Sequence, residues 1–459
     1  MLHTNGLKRE VGLFSAIVLV VANMVGTGIF TTSGLIMQEL GNPYSFLLCW
    51  AAGGLIALCG ALCYGELGAL FPRAGGEYVF LRESFGEAMG FLTGWISLIV
   101  GFSAPIAAAA IAFSSYLFKA IPGGDMFHVE LMYKGIIYLK LSPGTMLAAC
   151  TVAVISLAHS HSLKLGTRLQ NTLTAFKILL LLLFVVMGFC LGQGSVENFH
   201  HPLDLEAVFQ APFAVALIYV TFAYSGWNAA AYLGGEIRNP ERNIPLALAG
   251  GTVLVLTLYL LLNVIFIYAL SPAEMSGAIE VGTKAAAALF GPAAGKAFSL
   301  AIALGLLSVM SAMIMSGPRI YYAMAKDGVF FKLFGRVHSS RRTPVSSIRL
   351  QVVLAVLMII TTSFDSLLLY IGFTLSLFAL LTVAGLMYLR RKRPDLRAAY
   401  RTLGYPATPL VFIMASAWII LFTISQRPLA SLFGLGTILG GAILYLVFRK
   451  NKQSKYMRS

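Results

Sequence analysis

Charge is what this chain has least of. Only 11% of its 459 residues are Asp, Glu, Lys or Arg, and acids are the scarcer kind, 18 against 33 Lys and Arg. Soluble domains carry about 25% charged residues, so a water-solvated surface is excluded for most of the chain. Cysteine is also sparse. Cys49, Cys59, Cys63, Cys150 and Cys190 all fall in or at the ends of apolar stretches, and none has the C-x-x-C spacing of a metal or redox site. They read as small packing residues. The histidines (His3, His128, His159, His161, His200, His201, His338) fall in expected loops or tails, which argues against a haem or metal centre within the membrane. His159 and His161 read as solvated loop residues. No His, Asp or Cys cluster has catalytic spacing, which speaks against an enzyme. No carboxylate ring or filter-like repeat supports a channel. Neither a metal nor a cofactor is expected.

What fills the chain instead is hydrocarbon: 58% of residues are hydrophobic, and the mean hydropathy is +0.83. This is the composition of a polytopic membrane protein. The first apolar run is followed by further spans, with no short polar cleavage region, so it is expected to stay in the membrane. At ~20 apolar residues per span, the sequence predicts an all-α integral membrane protein of twelve transmembrane helices. They run approximately over 11–38, 44–70, 85–118, 143–159, 166–192, 208–233, 245–270, 285–325, 346–363, 366–389, 407–424 and 429–448.

An even number of spans puts both termini on one side. With that side inside, most of the 33 Lys and Arg lie inside, concentrated in Lys326–Arg349, Arg390–Arg401 and Arg449–Arg458. The outer loops hold only Lys119, Lys134, Lys140, Lys284, Lys296 and Arg427. Basic residues collect on cytoplasmic loops. Both termini are therefore expected in the cytoplasm, and the +15 charge reads as topology. It does not imply a nucleic-acid partner.

Two spans are interrupted. In the first, Asn23-Met-Val-Gly-Thr-Gly-Ile-Phe30 sets Gly26 and Gly28 around a threonine between two apolar runs, each about half a bilayer long. Glycine inside a helix costs ~1 kcal/mol relative to alanine, which favours opening the backbone there. Such an opening needs protein, water or ligand to satisfy the freed N–H and C=O groups; a close helix crossing would use the same small residues. The second interruption, Thr221-Phe-Ala-Tyr-Ser-Gly-Trp-Asn228, lies in the sixth span. Shifting the first five spans by the separation of the two breaks lands close to spans six to ten, in opposite topology. This gives a first repeat over 11–193, an inverted second repeat over 208–390, and two further helices over 405–449. Tails at 1–10 and 450–459 complete the chain. Paired glycine-interrupted spans in two inverted halves point to a binding site at the midplane of a secondary transporter. Half-helix N-termini suit a carboxylate, and freed carbonyls suit an ammonium group, so two facing breaks suit an α-amino acid.

The same stretches carry a family resemblance. Val25-Gly-Thr-Gly-Ile-Phe30, Tyr64-Gly-Glu-Leu67, Phe71-Pro-Arg-Ala-Gly-Gly-Glu-Tyr78, Phe222-Ala-Tyr-Ser-Gly-Trp-Asn228, Gly235-Glu-Ile-Arg-Asn-Pro-Glu-Arg-Asn-Ile-Pro245 and Ala323-Met-Ala-Lys-Asp-Gly328 resemble the amino acid–polyamine–organocation (APC) superfamily of transporters. The sixth-span motif is most similar to bacterial relatives of its L-type amino-acid transporter branch. The resemblance implies the 5+5 inverted-repeat leucine-transporter fold with broken helices 1 and 6, in which spans 1, 2, 6 and 7 rock against 3, 4, 8 and 9. It implies that Gly26, Thr27 and Gly28 surround the substrate carboxylate, with N–H groups from Thr27 and Gly28. Carbonyls of Met24, Phe222, Ala223 and Ser225 would then receive the ammonium group. Phe222 resembles an aromatic gate, and Asn228 a polar wall.

Lys177 is the only lysine buried deep within a span, where a midplane charge costs ~3 kcal/mol or more, so it should face protein or water. By resemblance it matches a lysine whose amine stands where sodium-coupled relatives hold sodium, a coupling role. Ser225 stands where some family members have Asp matched to cationic substrates. The expected function is therefore sodium-independent transport of neutral L-amino acids across the plasma (inner) membrane, by proton symport or exchange. A cationic amino-acid or polyamine exchanger of the same fold is the alternative. Eukaryotic L-type members bond a heavy chain through a cysteine between spans 3 and 4; residues 119–143 contain none, so no disulfide-linked partner is expected beyond the substrate, the bilayer and, for symport, a proton. Glu66, Glu236 and Arg319, near expected cytoplasmic helix ends, read either as gate or loop-anchoring ion pairs or as interfacial charges.

Overall fold

The computed structural model describes residues 9–120, 129–133, 137–202, 206, 210–278, 280–338, 343–362, 364–426 and 428–456. Residues 1–8 of the N-terminal tail, 457–459 of the C-terminal tail, His3, His128, Lys134 and Arg427 lie outside them. The chain opens with α1 (Leu13–Met24) and α2 (Thr27–Leu40), then α3 (Pro43–Leu70) and the short α4 (Glu77–Phe85). A long bent helix follows, made of α5 (Glu87–Ile96), a π-helical turn (Ser97–Ser103) and α6 (Ala104–Ala120). Next come α7 (Pro143–His161) and α8 (Leu163–Leu191), then α9 (Ala211–Tyr224), α10 (Ala229–Tyr232) and α11 (Pro240–Ala269). After the short α12 (Pro272–Met275) and α13 (Val281–Phe290) come α14 (Pro292–Ser316) and α15 (Pro318–Lys326). The last four are α16 (Val345–Thr361), α17 (Phe364–Lys392), α18 (Ala407–Gln426) and α19 (Pro428–Tyr456).

Among the described residues, nine helices are long and apolar enough to cross a membrane, and ten when the bent pair α1–α2 counts as one span. The shorter apolar helices α9, α13 and α16 fall below that length. Large apolar side chains stay exposed on the outside of the helical body, among them Leu157 on α7, Leu182 and Val186 on α8, and Leu432 and Leu439 on α19. In water such a surface would be untenable; against lipid it costs nothing. The chain is a multi-pass membrane protein.

Local chemistry explains several boundaries. The Asn42 side chain accepts from the backbone N–H groups of Tyr44 and Ser45, with Pro43 at the first position of α3, an N-cap followed by proline. Ser142 and Thr145 form a reciprocal capping box on α7.

The structure corrects several expectations. The stretch 285–325 is not one span, because α13 ends at Phe290 and α14 starts beyond Gly291. A glycine between two apolar runs leaves no mark in periodicity. α11 begins five residues before the expected span and carries Pro245 inside its first turns. The fold is helical as expected, and one expected loop holds a short hairpin in which β1 (Val129–Tyr133) and β2 (Ile137–Leu141) pair antiparallel. His159 is not in a solvated loop. It lies on α7, buried, with Nε2 2.8 Å from Ser311 Oγ of α14; a polar partner across the helix interface compensates the burial. His161 is exposed, as expected. Cys49 and Cys63 are buried packing residues, whereas Cys150 and Cys190 are exposed on the outer face.

Candidate functional site

Two helix interruptions meet at the centre of the molecule. α1 and α2 are bent by 41° at Val25–Gly26. Gly26 itself, at φ −133°, has a backbone open to other residues. What requires glycine is proximity. A Cβ on Gly28 would stand 2.4 Å from Ala223 Cα, so the start of α2 lies directly against the end of α9. On the other side of the crossing, Gly226 adopts φ +97° and approaches the Asn23 carbonyl so closely that a Cβ would lie 2.8 Å away. That position combines a left-handed backbone with a close approach, and glycine alone meets both needs. The second break runs from Ser225 to Asn228, and α10 beyond it is a single turn.

Most of the freed backbone groups find partners, and two of those partners come from other helices. The Lys177 ammonium of α8, buried, donates to the carbonyls of Ala22 (3.2 Å) and Val25. Tyr259 of α11 places its hydroxyl 2.7 Å from the Met24 carbonyl and 3.1 Å from that of Ala223, and the Gly26 N–H faces the same oxygen. One phenol thus ties both breaks together. The Phe222 carbonyl accepts from Ser225 N–H at 3.0 Å. Of the four carbonyls expected to hold an ammonium group, three therefore have a protein donor in this structure. Tyr259 had no signal in the sequence, since a tyrosine inside an apolar span reads as packing.

Beside the crossing lies a cavity of about 80 Å³. Asn23, Phe222, Ser225, Gly226 and Asn228 line it, with Trp227, Tyr232 and Phe102 adding aromatic walls. Met24, Thr27 and Ala223 are buried alongside and do not line it, and neither do Gly26 and Gly28. The expected residues thus divide into a cavity face and a packed crossing behind it. Trp227 is held edge-on by Tyr64 (4.6 Å between centroids) and by Phe412 (5.8 Å).

One wall was not foreseen. Neither break contains an acid, yet Glu77, the first residue of α4, reaches the cavity from outside both breaks. Its carboxylate accepts from the Tyr64 hydroxyl, from Asn228 Nδ2 at 2.9 Å and from the Tyr232 hydroxyl. Burial pushes this carboxyl above its usual value, and the three hydrogen bonds pull partly the other way.

The charges near the helix ends form pairs. Arg319 of α15 holds Glu236 in a buried, two-pronged pair at 2.7 and 3.1 Å, and the backbone of Glu236 is bridged to Val11 just before α1. Glu66 pairs with Arg390 of α17 and accepts from the Thr402 N–H and hydroxyl, each at 2.7 Å.

Two facing helix breaks, a buried ammonium at one of them and an adjoining polar and aromatic cavity define a membrane carrier for a small solute. Comparison with known proteins gives the family. The profile of the amino acid permease family matches residues 11–445, so the chain belongs to that family. It is 30% identical over 454 residues to the mouse (Mus musculus) b(0,+)-type amino acid transporter 1, covering 97% of this chain and 89% of that protein. It is 30% identical over 452 residues to the human (Homo sapiens) large neutral amino acids transporter small subunit 2, covering 96% and 80%. It is 29% identical over 460 residues to the serine/threonine exchanger SteT of Bacillus subtilis (strain 168), covering 99% and 100%. The chain is an amino-acid permease, a transporter and not an enzyme.

Proposed function

We propose that this permease is a sodium-independent carrier of neutral L-amino acids, working by alternating access in the plasma (inner) membrane with both termini cytoplasmic. In this reading the chain has twelve spans, with α9–α10 and α16 completing the count, in a 5+5 inverted repeat. Thr27 and Gly28 N–H groups at the start of α2, packed behind the cavity wall in this arrangement, hold the substrate carboxylate once the crossing opens. The amino group displaces Tyr259 from the Met24 and Ala223 carbonyls, Phe222 closes over the ligand, and Ser225 and Asn228 face its side chain.

The observation that carries the reading is Lys177. Its ammonium sits on the carbonyls of Ala22 and Val25 at the first break, so a fixed protein cation supplies the charge that a coupling sodium would supply. Neutral selectivity is supported by Ser225 on the cavity wall and by the engagement of the Glu77 carboxylate with three donors, which leaves a cationic side chain poorly served. A disulfide-linked partner is not part of this reading.

Counterflow of labelled amino acids in proteoliposomes, in sodium and in choline and with and without a pH gradient, tests it. Saturable, trans-stimulated flux of neutral amino acids in choline is expected. A sodium requirement would refute the role of Lys177, and preferential uptake of arginine or a polyamine would replace the substrate class. Uptake driven by a proton gradient without internal amino acid would select symport over exchange.

A further inference from the structure

Asn228 has two amide hydrogens, and both are engaged at one corner of the cavity. Its Nδ2 is 2.9 Å from Glu77 Oε1 and 3.0 Å from the Tyr232 hydroxyl oxygen. The Tyr232 hydroxyl spends its own proton on Glu77, so it can only accept from Asn228. Turning the amide over would bring Oδ1 against an ionised carboxylate and against an oxygen whose proton is committed elsewhere. The chemistry of Glu77 therefore decides the orientation, and Oδ1 is left for the cavity that Asn228 lines.

We propose that Glu77 is a positioning residue for the substrate cavity: its ionised carboxylate turns the Asn228 amide so that the carbonyl oxygen faces the substrate side chain, and its protonation permits the opposite orientation. This rests on the reading of the cavity as the amino-acid site. A protonated Glu77 can donate to Oδ1, which frees the NH2 to face the ligand. The cavity would then exchange an acceptor for a donor without any movement of backbone.

The surroundings suit a group that changes charge. Tyr64 of α3, Asn228 and Tyr232 contact Glu77 directly; Thr382 of α17 adjoins the Tyr64 hydroxyl, and Tyr321 of α15 lies beside Tyr232. Among the described residues no cation and no second carboxylate faces it. The charged groups further along its own helix are turned elsewhere, Arg82 pairing with Asp327. The backbone is also fixed. Gly75 N–H donates to the Tyr232 carbonyl at 3.1 Å, and Ala74 bridges to Leu233, so α4 and the end of the second break are held in register. A carboxylate stripped of water and supported only by neutral donors takes up a proton more readily than one in water.

The test uses the full-length protein and two readouts. In pH-difference infrared spectra, a carboxylic-acid C=O band absent from Glu77→Gln should appear in the wild type as pH falls, with a midpoint above the usual carboxyl value. Asn228→Ala and, separately, Tyr232→Phe each remove a donor to the ionised form and should raise that midpoint. In competition with a transported label, L-serine, which can donate to Oδ1, should outcompete O-methyl-L-serine by about fivefold near neutral pH, the value of one hydrogen bond. That preference should vanish below the midpoint and, at every pH, fall in Glu77→Met, which has no oxygen to accept from the Asn228 amide. No titrating band from Glu77, midpoints unmoved by both variants, or a preference unchanged in Glu77→Met would overturn the proposal. If neither compound competes, the neutral-substrate reading fails, while the infrared midpoints still decide the role of Glu77.

Discussion

Gly28 and Gly26 lie two residues apart in one motif, and the structure assigns them different sensitivities. An alanine methyl at Gly28 would stand 2.4 Å from Ala223 Cα and 2.7 Å from its Cβ, where carbon atoms ordinarily rest about 3.5–4.0 Å apart. The obstacle is backbone, so the two breaks must separate by about 1 Å. Overpacking of this kind costs ~1–3 kcal/mol, enough to shift the equilibrium toward a separated arrangement by roughly 5- to 150-fold. At Gly26 the nearest atoms to a new methyl are the Val309 side chain at 3.5 Å, an ordinary contact, and the backbone needs no glycine. Thermal unfolding of purified protein and counterflow in proteoliposomes should therefore show Gly28→Ala strongly impaired and Gly26→Ala close to wild type; Gly28→Val should abolish substrate binding. Wild-type flux in Gly28→Ala together with loss in Gly26→Ala would refute the contact between the two breaks as the reason for the glycine.

Lys177→Ala leaves the Ala22 and Val25 carbonyls without their donor and should cut flux severely, by at least tenfold for a buried group left unpaired. Lys177→Arg should also fail, because a planar guanidinium is bulkier than the ammonium that sits on the Ala22 and Val25 carbonyls; near-normal flux in Lys177→Ala would remove the coupling role. Ser225→Asp should move competition from neutral toward cationic amino acids, and an unchanged ratio of alanine to arginine inhibition would dissociate this wall from selectivity. Tyr259→Phe should leave the fold intact at a cost of about 1 kcal/mol and alter substrate affinity, since the Met24 and Ala223 carbonyls lose the group that covers them; identical affinity would exclude it from the site. Arg319→Leu strands the buried Glu236 carboxylate and should destabilise the protein by ~3–5 kcal/mol, while the double change to Arg319→Leu and Glu236→Gln should recover much of that loss.

The sequence by itself determined the membrane class, the position of both breaks, the placement of Lys177 within an apolar span and the family, because each depends on signals local in the chain. Long apolar runs need no partner to be recognised, two glycines around a threonine mark an opened helix or a close crossing, and one lysine in twenty apolar residues is conspicuous. Charge near Glu236 and Arg319 was visible, but their pairing was not, since 83 residues of chain separate them. Only the tertiary structure decided which atoms the opened backbone meets. Gly28 reads the same as Gly26 until Ala223 is placed against it. Tyr259 is one aromatic among many until its hydroxyl falls between two carbonyls from different breaks. Glu77 lies between the expected spans 44–70 and 85–118, and it becomes a wall of the cavity because α4 brings it against Tyr64, Asn228 and Tyr232. Periodicity and composition describe what each segment buries. The meeting of polar groups from distant segments is set by packing, and packing is a property of the whole chain.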